Sequence, residues 1–206
     1  MQGCGSAIIA PYQEFKQAAR AVHTSYAIIL RSVMNVTIHE VPRNEVETLI
    51  PLLLQAEESE RALRWGLAHL VDTIYRMDDD GQLVGAATMR WRDDPCEIME
   101  LAIAPERQGQ GLGKRFVAWL LDEARRRGKR QMQVGTANAS IENIAFYQKC
   151  GFRMDHVRRD YFWYYDKPVY EHGIPIRDML VFRYDLVPAA GEPERARGVP
   201  VGGPTT

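Results

Sequence analysis

From residue 36 onward the chain switches repeatedly between two hydrophobic periods. Val36 and Ile38 alternate with Thr37 and His39, the two-residue period of a strand with one face in a core. Helical spacing follows: Val46, Leu49, Ile50 and Leu53 share one side. Asn44 can cap that helix with Glu47 as its capping partner three residues on, and Pro51 lies in its early turns or kinks it. A second helix is predicted at about residues 58–69. Strands at 72–77 and 83–91 are joined by Asp80-Gly81, a strong hairpin turn signal. A third strand spans about 97–103, and a glycine-rich loop occupies 108–113. The helix predicted over 112–127 carries Leu112, Phe116, Val117, Leu120, Leu121 and Ala124 on one stripe. Arg125 to Arg127 suit its negative C-terminal end, and Gly128 stops it. A short strand at 131–134 precedes a helix at 141–150, capped by Ser140 and stopped by Gly151, and strands at 152–157 and 179–186 close the pattern. The alternation is mixed α/β, without an internal repeat.

The two ends differ from this core. Residues 1–33 read as an N-terminal extension, with Met34 as an alternative natural start, and residues 188–206 as a disordered Pro/Gly-rich tail. The 206 residues suit one domain, and a 46% hydrophobic and 26% charged composition is that of a globular protein. A formal net charge of -1 argues against a nucleic-acid surface. No run approaches the roughly 20 apolar residues of a membrane helix, and no signal peptide is read at the start. Cys4, Cys96 and Cys150 have neither metal spacing nor the pattern of a disulfide framework, which fits a reducing, cytoplasmic setting. His39, His69, His156 and His172 form no recognisable metal set, and no metal is expected.

The chemistry concentrates in Ala104-Pro105-Glu106-Arg107-Gln108-Gly109-Gln110-Gly111-Leu112-Gly113-Lys114. Glycines at alternate positions let backbone N–H groups turn toward one point, and they lead into a helix N-terminus, whose dipole end is positive. Together these make an anion site fit for a pyrophosphate. It is not a Walker loop, because Gln108 stands at the first glycine and Arg115 at the Ser/Thr. Nor is it a dinucleotide fingerprint, because Lys114 stands where the last glycine belongs.

The segment resembles the GNAT (GCN5-related N-acetyltransferase) family. Gln108-x-x-Gly111-x-Gly113 matches its pyrophosphate motif, Glu97 to Pro105 looks like its fourth strand, and Ala145 to Phe152 looks like its closing helix and strand. The resemblance covers roughly residues 34–187 and implies a mixed, mostly antiparallel central sheet, splayed between its fourth and fifth strands and flanked by helices. It also implies acetyl-CoA as co-substrate. Pantetheine would pair with Leu101, Ala102 and Ile103, and Gln108, Gly109, Gln110, Gly111, Leu112, Gly113 and Lys114 would hold the pyrophosphate. The family's last motif often has Asn and a small residue where Ser140 and Asn143 stand here, so Asn138, Ser140 and Asn143 are all cofactor-binding candidates.

An alkylamine must lose a proton before it attacks. Glu97 stands where some family members carry a base and is preferred, with Glu100 or water as alternatives. Strand alternation sends Glu97 and Glu100 to opposite faces, so only one of them can meet the acceptor. Arg90 or Arg92 could instead make either carboxylate a salt bridge. Tyr147 is the candidate acid for the leaving thiolate, and Ser140, Asn143 and Tyr147 share one helix face at i, i+3, i+7. The run from Asp160 to Gly173 is rich in aromatic and acidic residues. It reads either as a wall for a small cationic amine or as core packing with a homodimer contact. The helices between Asn44 and His69 would form the opposite wall, with Trp65 in the core. The Arg125 to Arg130 cluster reads as a solvated helix end, with contact to the cofactor's ribose phosphate as the lesser alternative. Three functions are in play: acetylation of a small-molecule amine, acetylation of protein N-termini or lysines, and a non-catalytic acyl-CoA-binding module.

Overall fold

The structure, a computed structural model, describes residues 35–187. The expected extension and the Pro/Gly-rich tail lie outside the described residues. The strands are β1 (Val36–Glu40), β2 (Thr73–Asp79), β3 (Gln82–Arg90), β4 (Cys96–Ile103), β5 (Gln131–Ala137), β6 (Arg153–Arg158), β7 (Tyr170–Glu171), β8 (Ile174–Pro175) and β9 (Met179–Asp185). The helices are α1 (Ile50–Leu53), α2 (Glu60–His69), α3 (Leu112–Arg126) and α4 (Ile141–Lys149).

Seven strands form one sheet in the order β1-β2-β3-β4-β5-β9-β6, with β7 and β8 as a separate hairpin. The β2–β3, β3–β4, β5–β9 and β9–β6 pairs are antiparallel. The β4–β5 pair is parallel and short: only Cys96–Ile98 meets Met132–Val134. Beyond Ile98 the two strands part, leaving one edge of β4 open inside the sheet. This is the mixed, splayed sheet that the resemblance implied.

The core explains the rest. Leu112, Phe116, Val117 and Leu120 of α3 are buried, and each such side chain contributes about 1.5–3 kcal/mol relative to exposure. Leu49, Leu53, Leu63 and Leu67 pack with Ala86 and Ala102, so α1 and α2 cover that face of the sheet. The β2–β3 turn places Asp80 at φ 50° and Gly81 at φ 77°, the left-handed pair the Asp-Gly signal calls for.

Several expectations are corrected. The predicted first helix breaks into a 3-10 turn at Arg43–Thr48 and the single turn α1. The Asn44–Glu47 capping box does not form: Pro42 occupies the cap position, and Glu47 meets the Arg64 guanidinium at 2.7 Å, a charged bond stronger than a backbone cap. Pro51 falls in the first turn of α1, where its missing N–H costs nothing. Helix α2 starts at Glu60, because the Ser59 side chain accepts the Ala62 N–H at 3.2 Å. Strand β5 runs on to Ala137. Ser140 holds the cap position of α4 without a capping hydrogen bond. Trp65 is not in the core: it is 56% exposed and stacks on His69. The β7–β8 hairpin, turning through His172 at φ 51° and Gly173 at φ 75°, is an additional element that the two-residue strand period does not mark.

Candidate active site

The strand splay and the glycine loop open into one cleft of about 770 Å³. At one end the chain leaves β4 through Ala104 and reaches α3 by way of Gly109 at φ 73° and Gly111 at φ 84°. A Cβ at either glycine would meet nothing within 4 Å, so their requirement is conformational and the space before them is open. Gly111 caps a 15-residue helix without any side-chain cap. Among the described residues, none of the amides from Gly109 to Lys114 donates to a backbone carbonyl outside a helix or strand. These N–H groups and the positive end of the helix dipole therefore stay available to an anion.

The loop side chains divide. Gly109, Gly111, Leu112, Gly113 and Lys114 line the cleft. Gln108 also lines it but donates its Nε2 to the Ile103 carbonyl at 3.0 Å, bracing the end of β4. Gln110 turns back, donating to the Glu106 carbonyl and accepting from Arg107. Beyond Ile98, Leu101, Ala102 and Ile103 pair with β3 on one side only, and all three border the cleft. That free edge can take an extended chain as an added strand.

At the other end stand Glu97 and Glu100, and alternation is wrong about them. Glu97 lies opposite Arg90 and Glu100 opposite Thr88, two residues apart on β3, because the register shifts and leaves Met99 bulged. Both carboxylates therefore face the same side, and both line the cleft. Their surroundings differ. Glu97, 4% exposed, lies 2.7 Å from Arg90 Nη2 and 3.4 Å from Arg158 Nη1. Glu100 accepts a hydrogen bond from the Thr88 hydroxyl and has no ion-pair partner among the described residues. Burial first, then the nearby negative charges of Glu57 and Glu97, push its carboxyl up to about 8. Arg92 pairs with Asp72 instead.

Ser140, Asn143 and Tyr147 all border the cleft from α4, as their spacing predicted. Tyr147 is buried against Phe146, Phe152 and Phe182, and burial raises its phenol above the ordinary tyrosine range. Asn138 lies elsewhere. Its Oδ1 accepts the N–H groups of Arg177 and Asp178, and its Nδ2 donates to the Pro175 carbonyl, so it fastens the chain entering β9.

The profile of the Acetyltransferase (GNAT) family matches residues 40–152. The chain belongs to the GNAT family. A curated relative, the uncharacterized N-acetyltransferase YvbK of Bacillus subtilis, is 35% identical over 99 residues, 48% of this chain and 64% of that protein. The chain thus spans less than two thirds of that relative's length. Among solved structures, the IAA acetyltransferase of Bacillus cereus superposes with a TM-score of 0.66 at 31% identity, covering 73% of this chain and 99% of that one. A GNAT family acetyltransferase from Elizabethkingia anophelis, solved with acetyl-CoA bound, gives a TM-score of 0.68 at 27% identity over 73% of this chain and 98% of that one.

In this GNAT chain the aromatic segment between β6 and β9 forms a strap over the acidic end of the cleft. Tyr161, Phe162 and Tyr164 line it, while Trp163 points outward at 84% exposure. The strap is anchored to the loop before α2 and to the first turn of α2. The Tyr164 hydroxyl donates to Glu57 Oε2 at 3.0 Å, and Arg61 reaches both the Tyr164 carbonyl and Asp166. Glu57 also accepts the Ser59 N–H at 2.8 Å, and burial raises its carboxyl above the usual range. The wall facing the strap is thus the Gln55–Glu58 stretch, not the helices expected there. Glu57 escaped the sequence reading because nothing local marks it: its partner is 107 positions away.

Proposed function

We propose that this GNAT chain transfers the acetyl group of acetyl-CoA to a primary amine of a small molecule by direct attack. One observation carries the reading: the uncommitted amides of Gly109 to Lys114, at the head of a 15-residue helix, adjoin a strand edge left open by the splay. A diphosphate next to an extended amide-bearing arm fits that pair of features. The loop fits the group: two left-handed glycines leave open space where a side chain would otherwise stand. Gly109, Gly111, Leu112, Gly113 and Lys114 would hold the pyrophosphate, with Leu101 to Ile103 along the pantetheine arm and Ser140 and Asn143 from α4.

Acetyl-CoA supplies an acyl group activated as a thioester. The residues do the rest. Glu100 is the better placed base, because it lacks the arginines that neutralise Glu97 and its raised proton affinity suits an amine. The ammonium gives one proton to Glu100, the C–N bond forms, and the nitrogen's second proton passes to water as the thioester C–S bond breaks. Tyr147, kept protonated by burial, gives a proton to the departing thiolate and is reprotonated from water, while Glu100 returns its proton to solvent. An amide on the free edge of β4 would hold the carbonyl oxygen as charge develops. Glu97 serves instead to order Arg90 and Arg158.

The strap narrows the acceptor end, which supports a small acceptor over a peptide. That Glu100 and Tyr147 both face the cleft supports turnover over a purely binding role. Cys96 and Cys150 are free thiols, which supports the cytoplasmic setting. Calorimetry with acetyl-CoA, followed by thiol release across amines and amine-bearing peptides, tests the reading. Binding with release from small amines is expected; no acetyl-CoA binding would end it.

A further inference from the structure

The acidic end of the cleft holds more negative charge than the transfer itself uses. Four carboxylates line it, those of Glu57, Glu58, Glu97 and Glu100. Two arginines serve them, both at Glu97, and Arg90 is shared with Asp93 at 2.9 Å. Glu97 Oε2 is shut from solvent without an aligned hydrogen-bond donor despite its arginine neighbour. Neither Glu57 nor Glu100 has a cationic partner among the described residues. The basic residues that border the cleft are Arg107 and Lys114, at the glycine loop, and Lys149, at the end of α4. Burying a carboxylate without a counter-charge is costly. Glu57 shares the cleft lining with its neighbour Glu58 and with the rings of Tyr161, Phe162 and Tyr164, whose faces favour cations.

Resting on the function proposed above, we infer that the acceptor carries a second, non-reacting cationic nitrogen, held by Glu57 beneath the aromatic strap. The two carboxylates need different partners. The reacting nitrogen surrenders its proton to Glu100 and ends as a neutral amide, so it cannot remain a counter-ion. A carboxylate that paired with that nitrogen throughout would keep it protonated and unreactive. Glu57 comes from the loop before α2, not from β4, and its oxygens are oriented by the Ser59 N–H and the Tyr164 hydroxyl. It therefore suits a charge that persists through the reaction: the distal ammonium or guanidinium of a diamine, a basic amino-acid amide or an aminoglycoside.

The test compares matched acceptors on the full chain. Linear diamines, lysine amide and an aminoglycoside are each assayed beside the analogue whose distal amine is replaced by hydroxyl. At least one dication is expected to exceed its analogue by about 10- to 100-fold in kcat/KM, the worth of a charged hydrogen bond. Glu57→Gln keeps the shape and can still meet Ser59 and Tyr164; it should collapse that ratio toward one, mainly through KM, with acetyl-CoA affinity and thermal midpoint retained. Equal rates for every pair, no turnover of any dication, or a ratio untouched by Glu57→Gln would overturn the inference. Turnover of mono-amines would then leave the acetyltransferase reading standing, whereas absence of acetyl-CoA binding would remove that reading itself.

Discussion

Thr88 and Glu100 face each other across β3 and β4: the Thr88 hydroxyl donates to the carboxylate, and the Glu100 N–H returns to Thr88 Oγ1 at 3.1 Å. The pair fixes the Glu100 side chain on the cleft side of a bulged strand. As base, Glu100 must first be unprotonated, and its carboxyl is pushed up to about 8 by burial, Glu57 and Glu97. We expect kcat/KM to climb with pH through that region. Glu100→Gln should lose roughly 10²–10⁴-fold in rate and flatten that limb of the profile; an unaltered profile would hand the base role to water.

The same residue links pH to stability. Its folded pKa lies above its unfolded value of about 4.5, so the folded state holds the proton more tightly. The resulting stabilisation is complete below pH ~4.5 and is lost as pH rises through about 8. Glu100→Gln should therefore unfold at a higher temperature than the parent at pH 9, with the gap closing toward pH 5. Glu97→Gln should behave otherwise. It removes the carboxylate shared by Arg90 and Arg158, leaving Arg90 its pair with Asp93, and should cost about 1–3 kcal/mol, less than a fully buried pair because both arginines keep some exposure. Denaturant melts of the two variants across pH check both signs.

Gly111 sits at φ 84° with open space where a Cβ would lie. Gly111→Ala places a methyl there and imposes roughly 1–2 kcal/mol of left-handed strain. Calorimetry should find acetyl-CoA affinity reduced about tenfold or more. Unchanged affinity would mean that the diphosphate lies elsewhere.

Tyr147→Phe removes one hydroxyl from a ring packed on three phenylalanines. Turnover should fall roughly 10²–10⁴-fold while acetyl-CoA binds as before. Equal turnover would show that the thiolate finds its proton from solvent.

The bend of the glycine loop was legible because it lies in backbone conformation, which three glycines at alternate positions announce. The α3 stripe was legible for the same local reason, and so was the α4 face of Ser140, Asn143 and Tyr147. The relation of Glu97 to Glu100 was not. Nothing in Glu97-Ile98-Met99-Glu100 marks the bulge, which is set by how β4 registers on β3. Asn138 looked like a ligand because side-chain type does not reveal that its hydrogen bonds go to Pro175, Arg177 and Asp178. The Asn44–Glu47 box failed to a charge, Arg64, on another helix.

The strap leaves the sheet from β6 and returns into β9, two strands already zipped to one another. Whatever lies between them can lengthen, shorten or exchange its aromatic residues without shifting either ladder. The donor end enjoys no such freedom, since its loop is continuous with β4 and α3. The architecture thus separates a geometrically constrained engine from a replaceable mouthpiece, and a graft across residues 159–178 should retarget the acceptor while the transfer chemistry stays in place.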